Sequence, residues 1–224
     1  MKHLVFLTGA GMSAESGIST FRDSNGLWEQ YDVMEVASIE GWYRNPDLIQ
    51  KFYNERRAQL NEVEPNEGHK MIASLEKSFK VTVVTQNVDD LHERAGSTQV
   101  IHLHGELTKA CNESKTKVYE IGTKAIHPED KAEDGSRLRP FIVWFGEAVP
   151  LIEKAAEVVS EADVVVIIGT SMQVYPAAGL IHYAKKDAPV YLIDPNPVDD
   201  SSFRVEIIKK KAGEGMAILL EKLI

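Results

Sequence analysis

A short β-branched run closes on two histidines, Val100-Ile101-His102-Leu103-His104-Gly105. Upstream of it lies a polar run, Thr85-Gln86-Asn87-Val88-Asp89-Asp90-Leu91-His92. An imidazole titrates near working pH and suits a general base. Strand alternation puts His102 and His104 on one face, so spacing alone does not choose between them. An Asn both donates and accepts and a carboxylate accepts, so Asn87 and Asp89 could grip an amide. Either could equally cap a helix, and a lone histidine in such a place is more often structural than catalytic.

A third chemistry-bearing stretch opens the chain. Gly9-Ala10-Gly11-Met12-Ser13-Ala14 follows the apolar run Leu4 to Leu7 and matches G-x-G-x-x-G/A. There, missing side chains let backbone and a helix start approach a pyrophosphate. The competing reading is a plain βα turn. An ordinary dehydrogenase carries a ribose-binding acid about 20 residues further on, at the end of the second strand. Glu29 and Asp32 sit instead in helical material, so hydride transfer is not expected.

These residues need a scaffold. Short apolar runs recur at 4–7, 81–85, 100–103, 141–144, 164–168 and 190–193, several of them apolar at consecutive positions as in a parallel sheet covered on both faces. Helical periodicity fills 66–79, 151–161, 176–186 and 215–224. The alternation predicts an α/β fold with a doubly wound, Rossmann-like parallel sheet. Two stretches break the rhythm: 21–65 has only helical material, and 106–139 is polar and charged. Both exceed an ordinary crossover. The expected division is a nucleotide-binding domain from 1–25, 65–105 and 140–224, with 26–64 and 106–139 as two insertions forming a smaller lobe.

Bulk properties narrow the function. The chain has 224 residues and a net charge of −9, with no basic face for nucleic acid beyond Lys209–Lys211, which read as a solvated edge. A single cysteine, Cys111, excludes an internal disulfide and suits a reducing compartment. No leader or membrane span is legible. A cytoplasmic protein is expected, with no membrane partner and as a monomer.

In order along the chain, GAGMSAESGISTFR (9–22), TQNVDDLH (85–92), HGEL (104–107), FIVWFGE (141–147) and GTSMQVYPAA (169–178) resemble the signature blocks of the sirtuins, NAD-dependent protein lysine deacylases, and most closely their compact bacterial members. The resemblance implies that Gly9, Ala10 and Gly11 cradle the pyrophosphate, with Phe21 and Arg22 on a cofactor loop. Gln86 and Asn87 would touch the nicotinamide ribose and Asp89 the carboxamide. Gly169, Thr170 and Ser171 would bind phosphate and adenosine, joined at the adenosine end by Asp194 and Ala212. His104 would be the general base, with Asn87 beside it in the reaction. Val143, Trp144, Phe145 and Gly146 would pair with the backbone of an acylated peptide. NAD would be consumed: the acyl oxygen of a modified lysine attacks the anomeric carbon, nicotinamide leaves, and the ribose takes the acyl group. Ser19 replaces a usual proline. Asp194 replaces a usual asparagine, which should disfavour the phosphorylated cofactor.

Two further points rest on the same resemblance. Tyr53 and Arg56 share a face of the helix expected over 49–60. With Ala37 they resemble the subgroup that removes succinyl, malonyl and glutaryl groups, where an arginine fork would hold the distal carboxylate. Arg56 could instead pair with Glu55 or Glu62 on the surface, and Arg57 is expected to be a surface residue. Most sirtuins also hold a zinc in two Cys-x-x-Cys pairs. Cys111 occupies the first ligand's place and the other three are absent, so no zinc is expected and catalysis should survive chelators. A hairpin around 117–121, packed by Val118, Tyr119, Ile121 and Ile126, would close the insert, with Cys111 semi-buried. Mono-ADP-ribosyl transfer and a non-catalytic NAD or ADP-ribose sensor are the alternatives.

Overall fold

The computed structural model describes residues 1–18, 31–170, 174–197 and 205–223. Ser19, Phe21, Arg22 and Ser171 fall outside them. The opening run forms β1 (His3–Thr8), buried at every position. Its neighbours are β2 (Lys80–Thr85), β3 (Val100–His102), β7 (Val164–Ile168), β8 (Val190–Ile193) and β9 (Val205–Ile208). All five pairings are parallel, in the order β3-β2-β1-β7-β8-β9. A second, three-stranded sheet is antiparallel, with β4 (Gly105–Cys111) between β5 (Val118–Glu120) and β6 (Arg139–Ile142).

Alternating residues of the parallel strands feed two cores, as period-two geometry requires. Leu4 and Phe6 pack with Met12, Ile72, Val166 and Met216 on one face. Val5 and Leu7 pack with Ala155, Val159, Ile167 and Leu180 on the other. The first face is covered by α5 (Glu67–Ser74) and α8 (Ala212–Leu223). Asn66 and His69 close a reciprocal capping box at the start of α5. The second face is covered by α7 (Ile152–Glu161) and a 3-10 segment, Ala177–Tyr183.

The stretch without strands supplies α2 (Val33–Val36), α3 (Ile39–Arg44) and α4 (Pro46–Gln59). Two shorter helices follow glycine and acidic turns, α1 (Ala10–Ala14) and α6 (Leu91–Ala95). Asn45 caps α4 with Pro46 in its first turn, so the chain can turn sharply into it. Trp42, Phe52 and Tyr53 from these helices pack with Leu107, Ile142 and Trp144 of the small sheet and its exit, forming a third core.

Several local expectations change. The run 141–144 belongs to the small antiparallel sheet through β6 rather than to the parallel one. The helix expected over 66–79 ends at Ser74 and tightens into a 3-10 turn, Leu75–Lys77. Arg57 is fully buried: its Nε donates to the Leu107 carbonyl at 2.6 Å and its guanidinium to Asn54 Oδ1 at 2.7 Å. It satisfies a β4 carbonyl that would otherwise be orphaned. Val118 pairs with Cys111 across β4 and β5 but its side chain is 47% exposed rather than packed in the insert, whereas Ile126 is buried.

Candidate active site

In chain order the six parallel strands run 3-2-1-4-5-6, so connections diverge between β1 and β7. Ligands bind at such a switch point, outside the carboxyl ends of the strands. The glycine loop leaves β1 there and Gly169-Thr170 leaves β7. The two loops interlock: Gly9 N–H donates to Ile168 O at 3.0 Å, and Gly11 N–H to Gly169 O at 2.8 Å. A Cβ on Gly11 would lie 2.7 Å from Gly169 Cα, backbone against backbone. Gly169 itself has φ +61°, the left-handed region. Gly11→Ala is therefore expected to destabilise the fold by about 1–3 kcal/mol, the range for overpacking, read as a lower denaturation midpoint at unchanged slope.

The polar run after β2 closes on the same place. Gln86 Nε2 donates to Thr170 Oγ1 at 3.0 Å, joining the β2 and β7 loops. Asn87 Nδ2 donates to Ser13 Oγ at 3.0 Å, and Ser13 Oγ donates to Asp89 Oδ2 at 3.0 Å. Asp89 Oδ1 accepts from Leu91 N–H at 3.2 Å, so this carboxylate also steadies the start of α6. Burial pushes the Asp89 pKa up, against the pull of the Leu91 amide, the Ser13 hydroxyl and the charge of His102. Ser13 went unnoticed in the sequence, although it stands inside the glycine motif, because the glycines account for that motif by themselves.

The two histidines now separate. His104 Nδ1 lies 3.1 Å from Gln86 O. A carbonyl only accepts, so Nδ1 carries the proton and Nε2 the lone pair. Burial holds this imidazole below its ordinary value, with the Gln86 carbonyl opposing. A neutral ring with a fixed basic nitrogen is what a general base requires. His102 has both ring nitrogens engaged, by Asn87 O and Glu93 Oε1, and has no free lone pair to offer a substrate.

On the other side, Tyr53 is buried and Arg56 half-buried on one face of α4. The Arg56 guanidinium stacks 5.7 Å from the Phe52 ring centroid and feels the charges of Tyr53 and Asp89. Burial pushes Tyr53 up to about 12. Ala37 is buried, and its carbonyl accepts from Phe145 N–H at 2.8 Å. Val143 N–H donates to His104 O at 2.9 Å, and Trp144 N–H to Glu147 Oε2 at 2.8 Å. The 143–146 segment thus runs between the base and Ala37. Glu147 also takes both arms of Arg139, each at 3.1 Å, and Lys115 Nζ at 2.7 Å. Arg139 stacks 3.8 Å over Trp144. Asp194 follows β8 and accepts from Asn196 N–H at 2.7 Å, and Ala212 is buried at the start of α8.

A sequence model of the Sir2 family matches residues 9–176. The chain belongs to the sirtuins. An NAD-dependent protein deacylase of Bacteroides thetaiotaomicron is 59% identical to this sirtuin, over 100% of the chain and 99% of its own length. One from Helicobacter pylori is 53% identical over 100% and 98%. Among solved structures, an ADP-ribose complex of a Sir2 homologue variant aligns with TM-score 0.91 at 39% identity, covering 98% of this chain and 91% of its own. An NAD complex of a Sir2 homologue gives 0.88 at 40%, covering 99% and 89%.

Among the described residues no group of three or more His, Cys, Asp or Glu is placed to hold a metal ion. Cys111 is fully buried rather than semi-buried, beside Pro140 O at 3.9 Å. Next to it the buried amide of Asn112 gathers the loop: Nδ2 reaches Asp134 Oδ2 at 2.7 Å, Thr116 Oγ1 at 2.9 Å and Ser114 Oγ at 3.0 Å, while Oδ1 accepts from Lys117 N–H at 2.9 Å.

Behind the site two more imidazoles meet edge to face at 4.8 Å, His69 and His92. His69 is completely buried and burial lowers it to about 4. Unfolded, it would titrate near 6.5. Between those values the unfolded chain binds a proton that the folded one refuses. This contribution is therefore complete above pH 6.5 and is lost as pH falls towards about 4, about 3 kcal/mol over the span. His69→Gln keeps an N3 capping partner and is expected to shrink the stability difference between pH 7 and pH 5 in denaturant titrations.

Proposed function

We propose that the sirtuin removes acyl groups from protein lysines at the expense of NAD, with His104 as general base and with succinyl and malonyl among the groups it accepts. The observation that carries this is the fixed tautomer of His104 beside the Asn87–Ser13–Asp89 chain, at the mouth of two interlocked glycine loops. When bound, NAD would supply a ribose–nicotinamide bond that breaks readily, because nicotinamide leaves as a neutral pyridine, and a ribose that accepts the acyl group.

The chain's own residues do the rest. Gly9, Ala10 and Gly11, locked against Gly169 and Thr170, present the paired loops at the carboxyl ends of β1 and β7 to the pyrophosphate. Gln86 and Asn87 take the ribose beside nicotinamide, and Asp89 orients the carboxamide. Asp194 and Ala212 meet the adenosine end. His104 Nε2 removes a proton from a ribose hydroxyl. The neighbouring segment 143–146 holds the peptide. Among the described residues its Val143, Trp144 and Phe145 amides are already bonded, and the Trp144 and Phe145 carbonyls already accept from Glu147 and Ile39 N–H, which leaves the Val143 carbonyl and Gly146 as the peptide's readiest backbone partners. Small Ala37 opens the space in which Tyr53 and Arg56 receive an acidic acyl end, sequestered enough for a charge-assisted bond to count.

The test incubates the protein with NAD and acetyl- or succinyl-lysine peptides and follows nicotinamide and peptide mass. Peptide-dependent nicotinamide release with unmodified lysine as product is expected. ADP-ribose appearing on protein, or no turnover with either peptide, would overturn the reading.

A further inference from the structure

His102 is a buried titratable group next to the site that the reaction leaves unused. Its side chain is 5% exposed. Nδ1 lies 2.9 Å from the Asn87 carbonyl and Nε2 lies 2.8 Å from Glu93 Oε1. A backbone carbonyl cannot donate. The Glu93 carboxyl, partly open to solvent, has Lys109 nearby and is held below its usual range, burial being outweighed by the bond to His102 and its charge. Both partners accept, so both ring nitrogens donate.

We propose that His102 is a positioning residue for deacylation: as a doubly donating imidazole it ties Glu93 on α6 to the Asn87 carbonyl and fixes the Asn87–Asp89 turn. This rests on the reading that the turn grips the nicotinamide end of NAD. The groups facing His102 are Glu93 on α6, Glu106 on β4, Asp89 in the turn itself and His92 on α6. Burial opposes its charge, but the bond to Glu93, that carboxylate's charge, the Asn87 carbonyl and Glu106 together outweigh burial and raise the ring above its ordinary value. A charged His102 in turn helps keep Asp89 ionised. Two histidines two residues apart thereby hold opposite protonation states. His104 is neutral so that it can accept, and His102 is charged so that it can hold.

The consequence is a distinct alkaline limb. When His102 loses its proton, one of its two bonds is lost and the turn slackens. Glu93→Gln, a change at a partly exposed side chain, removes the charge that keeps the ring protonated. The experiment measures peptide-dependent nicotinamide release against pH for the native protein, Glu93→Gln and Asp89→Asn, with histidine imidazole shifts followed by NMR. The alkaline limb is expected to move down by about one pH unit in Glu93→Gln while the acid limb set by His104 stays. Superimposable profiles, or a His102 ring that titrates at or below 6.5 in the native protein, would sink the proposal. Asp89→Asn separates the two ideas: full activity there would remove the reading of the turn itself. An inactive Asp89→Asn with an unshifted Glu93→Gln would remove only the role of His102.

Discussion

Replacing His104 with alanine is expected to lower peptide-dependent turnover by about 10²–10⁴-fold, the range for a positioned general base, while NAD binding falls little. The separation follows from geometry. The ring's one fixed bond is to the Gln86 carbonyl, so its removal leaves the Asn87–Ser13–Asp89 chain and the glycine loops intact. The pH profile carries the same signature. A base works with its lone pair free, so activity is lost as pH falls through the folded value, which burial places below 6.5. The native enzyme should hold its rate down through pH 6.5 and decline only beneath it. Turnover above one tenth of native in His104→Ala, measured by nicotinamide release, would move the base elsewhere.

The second large effect concerns the acyl end. Arg56→Met keeps the aliphatic length of the side chain and removes the fork, so desuccinylation should drop by about 10–100-fold, the worth of a charged hydrogen bond. Deacetylation should change by less than about threefold, because an acetyl group offers no carboxylate to bind. Equal losses on the two substrates would mean that Arg56 serves the helix, through its stacking on Phe52, and not the substrate. The ratio of kcat/KM values is the quantity to compare, since it cancels any shared loss of folded protein.

The legible parts of this molecule were those whose physics is local. Leu4 to Leu7 announced a strand covered on both faces, and the glycines after it announced a turn with no room for side chains. The strand β9 was not legible: Val205–Ile208 is short, and Ile207 is 43% exposed at the sheet's edge, so its pattern lacks the continuous apolar run of β7. Arg57 misled for a different reason. Nothing adjacent to it in sequence shows that a β4 carbonyl 50 residues away needs a donor. The same holds for His102 and Glu93, a strand residue and a helix residue whose pairing exists only once α6 has packed. His102 and His104 were indistinguishable by spacing, and only their partners assign them different work.

The burial of Cys111 has a practical side. It is the chain's single thiol, completely covered, and burial pushes it up to about 11, so the thiolate is scarce at pH 8. Maleimides, iodoacetamide and peroxide are all attacked by the thiolate rather than the thiol. A reporter cysteine placed at exposed Tyr43 would react by itself, giving a singly labelled enzyme for fluorescence or spin measurements with the native cysteine left where it is.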